Sequence, residues 1–435
     1  VFTAILDSSL TKGALPISVG VLCAIALAVV LWRRRSRRWI VIYLAAAAVG
    51  AGLGFAIAWY LGDVKNDFGV ILAFDTRAWF ALGVAGAAVG LVSLWRARPW
   101  RIAVGVASVL LFALVAAIGI NSTIGEYPTL ADALGISKVH PLHLVKHRHV
   151  QADVRTVLPL WQQWQPPATM PRVGTVGTAV IPSTQSHFLA RPAVVYLPPA
   201  ALVRNAPALP VMIFLGGQPG SPQTVIESGQ MAQIMNAFAA QHNGLAPIVV
   251  IPDQLGASAN NPMCLNSSLG QVQTYLTVDV PNWIKAHLNV LGGRTNWDIA
   301  GFSEGGTCAL QLGTRFRDMF GSIVDISGQV APFNGSVART IRVGFGGSVA
   351  AYRADTAASL LAAGAPFSTT VGIFAVGQFD GKYGPETAIV EKYAVAAGMD
   401  VHEFVSPGTA HDWYTEQYGV RQSLPVLATL WGLSS

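Results

Sequence analysis

The chain has 435 residues, of which 52% are hydrophobic and only 11% charged, and its mean hydropathy is +0.47. Soluble domains average about 25% charged residues, so an ordinary soluble protein is excluded and the apolar excess is expected in membrane spans. Residues 1–121 hold 11 Lys+Arg against 4 Asp+Glu (net +7), while residues 122–435 hold 17 against 18 (net −1). Nucleic acid, which needs basic residues clustered on a folded face, is therefore not the default partner, and three cysteines exclude a disulfide-built scaffold.

Four apolar runs come first, at about 14–32, 39–61, 78–95 and 102–121, each long enough to cross ~30 Å of hydrocarbon as a helix. Trp32, Trp39, Trp59, Tyr60, Trp79 and Trp95 stand at their ends, as interfacial aromatics do. The chain opens at Val1 rather than Met, but no basic stretch precedes the first run and three more follow it. A span is therefore expected there rather than a cleaved signal peptide. Arg33, Arg34, Arg35, Arg37 and Arg38 separate runs one and two; Arg96, Arg98 and Arg101 separate runs three and four. The loop between them, with Asp63, Lys65, Asp67, Asp75 and Arg77, is net negative. The positive-inside rule then places both arginine loops in the cytoplasm and everything after Asn121 outside. Small residues at 50–54 and 86–90 predict close helix packing within one bundle. No acidic residue or histidine lies deep inside a run, which argues against a transporter.

Residues 122–171 read as a connector with a short surface helix near 126–134. Its His140, His143, His147 and His149 lack an HExxH motif or a cysteine pair and read as a solvated patch rather than a metal site. From residue 172 to 435, strand candidates at 173–181, 193–197, 209–215, 247–251, 297–300, 322–326, 371–376 and 401–405 alternate with helix candidates. The helices fall near 223–241, 271–287, 305–316, 355–363, 386–397 and 423–431. This alternation predicts an α/β fold, a mainly parallel sheet with helices on both faces and an antiparallel edge where the first two strands lack a helix between them. The chemistry of such a sheet gathers beyond the carboxyl ends of its strands.

There the sequence places Gly301-Phe302-Ser303-Glu304-Gly305 between a strand and a helix, the G-x-S-x-G nucleophile elbow, with Ser303 as nucleophile. A serine needs a base, and His411 follows the last strand candidate. His187, His242, His287 and His402 read as surface or packing residues. The base needs a carboxylate to orient it: Asp380 follows the strand at 371–376, Glu386 is the alternative, and Asp412 is too close in sequence to reach the ring comfortably. The oxyanion donors are expected from the Glu304 amide and from the turn Gly216-Gly217-Gln218, where Pro219 cannot donate and Gln218 is preferred over Gly217.

Leu215-Gly216-Gly217, Ile251-Pro252-Asp253, residues 274–284, 301–306 and 408–413 together resemble the esterase D / antigen 85 family of α/β-hydrolases over about residues 172–435. The resemblance implies serine hydrolases or acyltransferases acting on esters, including mycobacterial enzymes that move mycolic acids onto trehalose and the cell wall. The sequence departs from antigen 85 in its four-span region and in offering Asp380 where those proteins use a glutamate; esterase D members use an aspartate. Cys264 and Cys308 would face an oxidising compartment and are either a disulfide near the site or two separate buried thiols; Cys23, in the first span, reads as packing. Glu304 is unusual beside a nucleophile. It would either meet an ammonium on the acyl group, as in an aminoacylated phospholipid, or hydrogen-bond loop amides nearby.

The expectation is thus a membrane-embedded, extracytoplasmic serine esterase acting on a lipid, glycolipid or aminoacyl-lipid ester, with neither cofactor nor metal. Acyl transfer to an envelope sugar and a non-catalytic membrane scaffold are the alternatives. A four-span domain (1–121), a linker (122–171) and an esterase domain (172–435) would make up the chain.

Overall fold

The computed structural model describes residues 2–32, 36–66, 69–142 and 158–434. Arg33, Arg34 and Arg35 of the first arginine loop, Asp67, and His143, His147 and His149 lie outside the described residues. The chain divides into two compact units: Val1–Ser137 with Phe379–Lys382, and Lys138–Gln378 with Tyr383–Ser435.

Among the described residues, the first unit contains four helices long and apolar enough to cross a membrane: α1 (Ala14–Trp32), α2 (Arg37–Trp59, continued by a π-helical turn to Val64), α3 (Phe74–Ser93) and α4 (Pro99–Ile124). Helix α1 coincides with the apolar run that predicts it, whereas α2, α3 and α4 begin or end a few residues from theirs, because capping rather than hydropathy fixes the boundary. Pro99 sits in the first turn of α4, and Gly125 closes that helix in the left-handed conformation. Val21, Leu22 and Ile25 of α1 are more than half exposed, surface that water would penalise and hydrocarbon would not. The small residues form a seam. A Cβ on Gly50 would fall 2.8 Å from the Ala85 Cα, and one on Gly54 2.7 Å from the Ala81 Cα, so α2 and α3 approach as closely as their backbones allow.

The second unit is built on an eight-stranded sheet: β1 (Thr175–Ala179), β2 (Ala193–Leu197), β3 (Val211–Leu215), β4 (Ile248–Ile251), β5 (Trp297–Phe302), β6 (Ser322–Ile326), β7 (Val371–Gly377) and β8 (Asp400–Ser406), in the order β1-β2-β4-β3-β5-β6-β7-β8. Strands β4, β3 and β5 to β8 pair in parallel, while β2 runs antiparallel to both β1 and β4. In the expected connector, Leu142 N–H donates to the Thr178 carbonyl and Thr178 N–H to the His140 carbonyl, so this stretch lies along β1. The boundary between the two units falls between Ser137 and Lys138, inside that connector. Strands β3 and β5 are buried at every residue, as the centre of a sheet covered on both faces must be.

The flanking helices include α5 (Met231–Gln241), α6 (Val280–His287), α7 (Glu304–Arg315), α8 (Tyr383–Ala396) and α9 (Trp413–Leu430). One helix expected at 223–241 is two, Pro222–Glu227 and α5, because Gln230 turns into a positive-φ conformation (52°) between them. Helix α9 starts ten residues before the expected 423, where Asp412 accepts the Thr415 N–H as its N-cap.

Asp298 is buried in β5, accepts a hydrogen bond from Ser322 Oγ (2.7 Å), and has Oδ2 without a partner among the described residues. Burial pushes its carboxyl up to about 8 from an ordinary 3.8. The folded state therefore holds a proton that the unfolded state releases, and the contribution is full below the ordinary value and lost as pH climbs toward 8. Melting temperature of the full chain in detergent should fall from pH 4 to pH 8, and Asp298→Asn should flatten part of that slope. A slope identical in the variant contradicts the assignment.

Candidate active site

Strand β5 ends at Phe302 and α7 begins at Glu304, leaving Ser303 alone at the corner with φ 59° and ψ −116°. A non-glycine residue holds such a conformation only where its surroundings over-determine it, at a cost of about 1–3 kcal/mol. The surroundings are two glycines: a Cβ on Gly305 would sit 2.0 Å from the Leu215 carbonyl oxygen, and one on Gly301 would sit 2.2 Å from the Gly305 carbonyl carbon. Ser303 N–H donates to the Ile326 carbonyl (2.8 Å), pinning the corner to β6. The Glu304 N–H is the first of the donors that α7 leaves without an intrahelical acceptor, at the positive end of its dipole.

His411 lies in the loop between β8 and α9, with Nε2 2.9 Å from Ser303 Oγ. Phe302 stacks on the imidazole (centroids 5.0 Å apart, planes at 26°), and Tyr383 lies against it at 4.3 Å. Both rings escape sequence reasoning, although their positions beside Ser303 and at the start of α8 mark them. The Asp412 carboxylate accepts from the Ala410 and Thr415 N–H groups and is occupied in capping α9. Glu386 accepts from the Val330 N–H (2.9 Å) and braces the loop after β6. Asp380 is buried, three residues beyond the end of β7.

The turn Gly216-Gly217-Gln218 leaves β3 beside the corner, since a Cβ on Gly217 would lie 3.5 Å from the Ser303 Cβ. The Gln218 side chain donates to the Ala259 carbonyl (3.1 Å). The Glu304 side chain is buried: its Oε2 accepts from Gln254 Nε2 (3.1 Å), and its Oε1 lies 3.1 Å from Cys308 Sγ. Enclosed in this way it is unavailable to a substrate ammonium, so the cation-binding expectation for Glu304 is withdrawn. Burial pushes its carboxyl up to about 7, partly opposed by the Gln254 hydrogen bond. Cys264 and Cys308 are joined as a disulfide. With Glu304 they converge within 4.8 Å, an arrangement that otherwise suits a metal, but bonded sulfurs offer no thiolate. Cys23 is a buried free thiol in α1.

Sequence reasoning also missed Gln254. The available signal was a polar residue directly after Ile251-Pro252-Asp253 at the carboxyl edge of the sheet.

Residues 190–415, just over half of the chain, match the sequence model of the esterase family, described as "Putative esterase". The chain belongs to the esterase family. It is a carboxylic ester hydrolase on an α/β-hydrolase fold. An uncharacterized protein of Corynebacterium glutamicum is 31% identical over 366 residues, covering 80% of the esterase described here and 84% of the relative. That match is longer than the second unit alone, so it runs into the helical unit. Among solved structures, a ferulic acid esterase superposes with a TM-score of 0.51 at 19% identity, over 59% of this esterase and 98% of its own chain. An S-formylglutathione hydrolase from Agrobacterium tumefaciens gives 0.49 at 23% identity, over 60% and 96%.

The disulfide closes a 44-residue separation. Removing it by Cys264→Ala with Cys308→Ala should lower the stability of the esterase by about 2–4 kcal/mol in non-reducing denaturant titration. Unchanged stability would show that the crosslink constrains nothing in the unfolded chain.

Proposed function

We propose that this esterase is a serine hydrolase held in a membrane by its four apolar helices, with its second unit on the extracytoplasmic side, where it cleaves acyl esters of envelope lipids or glycolipids. The observation that carries the reading is the 2.9 Å approach of His411 Nε2 to Ser303 Oγ at a glycine-built elbow. Ser303 attacks the ester carbonyl, and His411 takes its proton and returns it to the departing alcohol. Water then repeats the sequence on the acyl-enzyme. The Glu304 and Gln218 N–H groups receive the oxyanion, each donor being worth ~2.7–4 kcal/mol.

Asp380 is assigned the role of orienting His411. Its support is placement: β7 carries it to the same sheet edge to which β5 carries Ser303 and β8 carries His411, and both nearby rivals have other hydrogen-bond duties. Membrane anchoring is supported by the four long apolar helices. The extracytoplasmic assignment is supported by the arginines at 96 and 98 between α3 and α4 and at 101 in the first turn of α4. The anchor raises the effective concentration of a lipid ester at the site.

A fluorophosphonate probe should label the purified esterase, and Ser303→Ala should abolish labelling. Failure of the wild-type chain to label defeats the reading. His411→Ala should lower kcat on a short acyl ester at least ~10⁴-fold. Asp380→Asn should cost far more than Glu386→Gln; the reverse order moves the acid to Glu386. Adding trehalose should leave product release unchanged, and acyl transfer outpacing hydrolysis would make the protein an acyltransferase. Protease added outside intact spheroplasts should digest the second unit, whereas its protection would invert the topology.

A further inference from the structure

The two oxyanion donors proposed above belong to different elements, the turn after β3 and the head of α7. Neither element alone fixes the distance between them. A single buried side chain joins the two. Gln254, 3% exposed, donates through Nε2 to the Gly216 carbonyl at 2.6 Å and to Glu304 Oε2 at 3.1 Å. Its amide nitrogen has two hydrogens, and these two acceptors use both of them. One acceptor lies two residues before the Gln218 donor, and the other is the side chain of the second donor residue.

Gln254 is itself held by a strap, residues 253–264, anchored at both ends and in the middle. At the start, the Asp253 carboxylate accepts from Arg191 N (2.7 Å), Nε (2.9 Å) and Nη2 (2.7 Å), while Arg191 Nη2 also donates to the Gly220 carbonyl (3.0 Å). In the middle, Gly220 N–H donates to the Ser258 carbonyl (3.2 Å) and Gln218 Nε2 to the Ala259 carbonyl (3.1 Å). At the far end, Cys264 is bonded to Cys308, one turn into α7 from Glu304. The strap thus touches the oxyanion turn at several points and the nucleophile helix at two.

We propose that Gln254 is a positioning residue of the oxyanion hole, setting the separation of the Gln218 and Glu304 N–H donors by bridging Gly216 to Glu304. The inference rests on the serine-esterase reading and deepens it. Oxyanion donors act only when they stand about 2.7–3.1 Å from the charge that develops, so a spacer between them controls the chemical step and not the binding of the ester. The side chains nearest in size and shape do not serve. Leucine leaves a buried carbonyl and a buried carboxyl without their donor. Glutamate sets an acceptor against two acceptors. Asparagine is one methylene too short to reach both.

The test uses the full-length chain in detergent, with p-nitrophenyl butyrate as substrate and an alkyl trifluoromethyl ketone, whose hemiketal with Ser303 carries the oxyanion, as inhibitor. Gln254→Leu should lower kcat by about ten- to a hundredfold, short of the ~10²–10³ lost with a whole donor, and leave KM within about threefold. Inhibitor affinity should fall by the same factor as kcat, a parallel that general loosening of the fold does not produce. Glu304→Leu breaks the bridge from the other side. The double variant should lose no more than the worse single variant, because both remove one linkage. If Gln254→Leu fails to fold, Gln254→Asn, which keeps the amide, is expected to fold with a smaller loss of kcat and of inhibitor affinity. Folded variants with unchanged kcat and affinity, a change confined to KM, or additive losses in the double variant overturn the proposal. A wild-type chain that fluorophosphonate fails to label at Ser303 overturns the serine-esterase reading instead.

Discussion

At the corner between β5 and α7 the backbone crosses so closely over the end of β3 that only hydrogen fits at Gly305, where a Cβ would lie 2.0 Å from the Leu215 carbonyl oxygen. Every other part of the site follows from that crossing. It forces Ser303 into a positive-φ conformation, which lifts the hydroxyl off the sheet edge. The same crossing brings the Gly217 turn within van der Waals range of the serine and starts α7 directly behind it. The strained residue is retained because the sheet on either side is rigid: β5 is hydrogen-bonded in register to both β3 and β6 and is buried along its whole length. A looser sheet would let the corner relax, and the hydroxyl would sink among the backbone groups.

The polar groups behind this corner show how a low-dielectric interior is made to carry function. Asp253 has five N–H donors around it, three of them from Arg191. Glu304 and Asp325, by contrast, have few donors, and burial pushes each up to about 7. In Glu416 of α9 both carboxyl oxygens lack partners among the described residues, and burial drives its carboxyl well above the ordinary range. Donors are thus gathered where a loop must be clamped, while beside Ser303 burial with few donors disfavours the charged form of Glu304.

Much of this was legible in the chain itself. Strand runs such as Val211–Leu215 and Ser322–Ile326 are uninterrupted apolar segments bounded by turn residues, so their periodicity and length suffice to place them. The elbow was readable because its glycines are a steric requirement written directly into the sequence. Boundaries set by long-range capping were less visible: α9 reaches back to Asp412 through a polar stretch that does not look helical. The helices Val337–Gly344 and Val349–Ala354 were also missed, since at eight and six residues each is too short to show a repeating apolar period. Gln254 and Glu304 were opaque for a different reason. A lone polar residue after a strand says nothing about its partners until the fold brings Gly216 and α7 around it. The sequence leaves Glu304 open between a cation ligand and a hydrogen-bonding partner of nearby loops, a choice that only its burial decides.

Ser303 and the imidazole that meets it are 108 positions apart, with β6, β7 and β8 made in between. A polypeptide cut short between α7 and β8 carries Ser303, its elbow and the turn after β3 but lacks His411. During synthesis the corner at Ser303 can therefore fold before its imidazole partner exists. On the function proposed above, hydrolytic competence arrives only when the last strand docks against β7 and delivers His411, so nascent or clipped chains carry no active hydrolase.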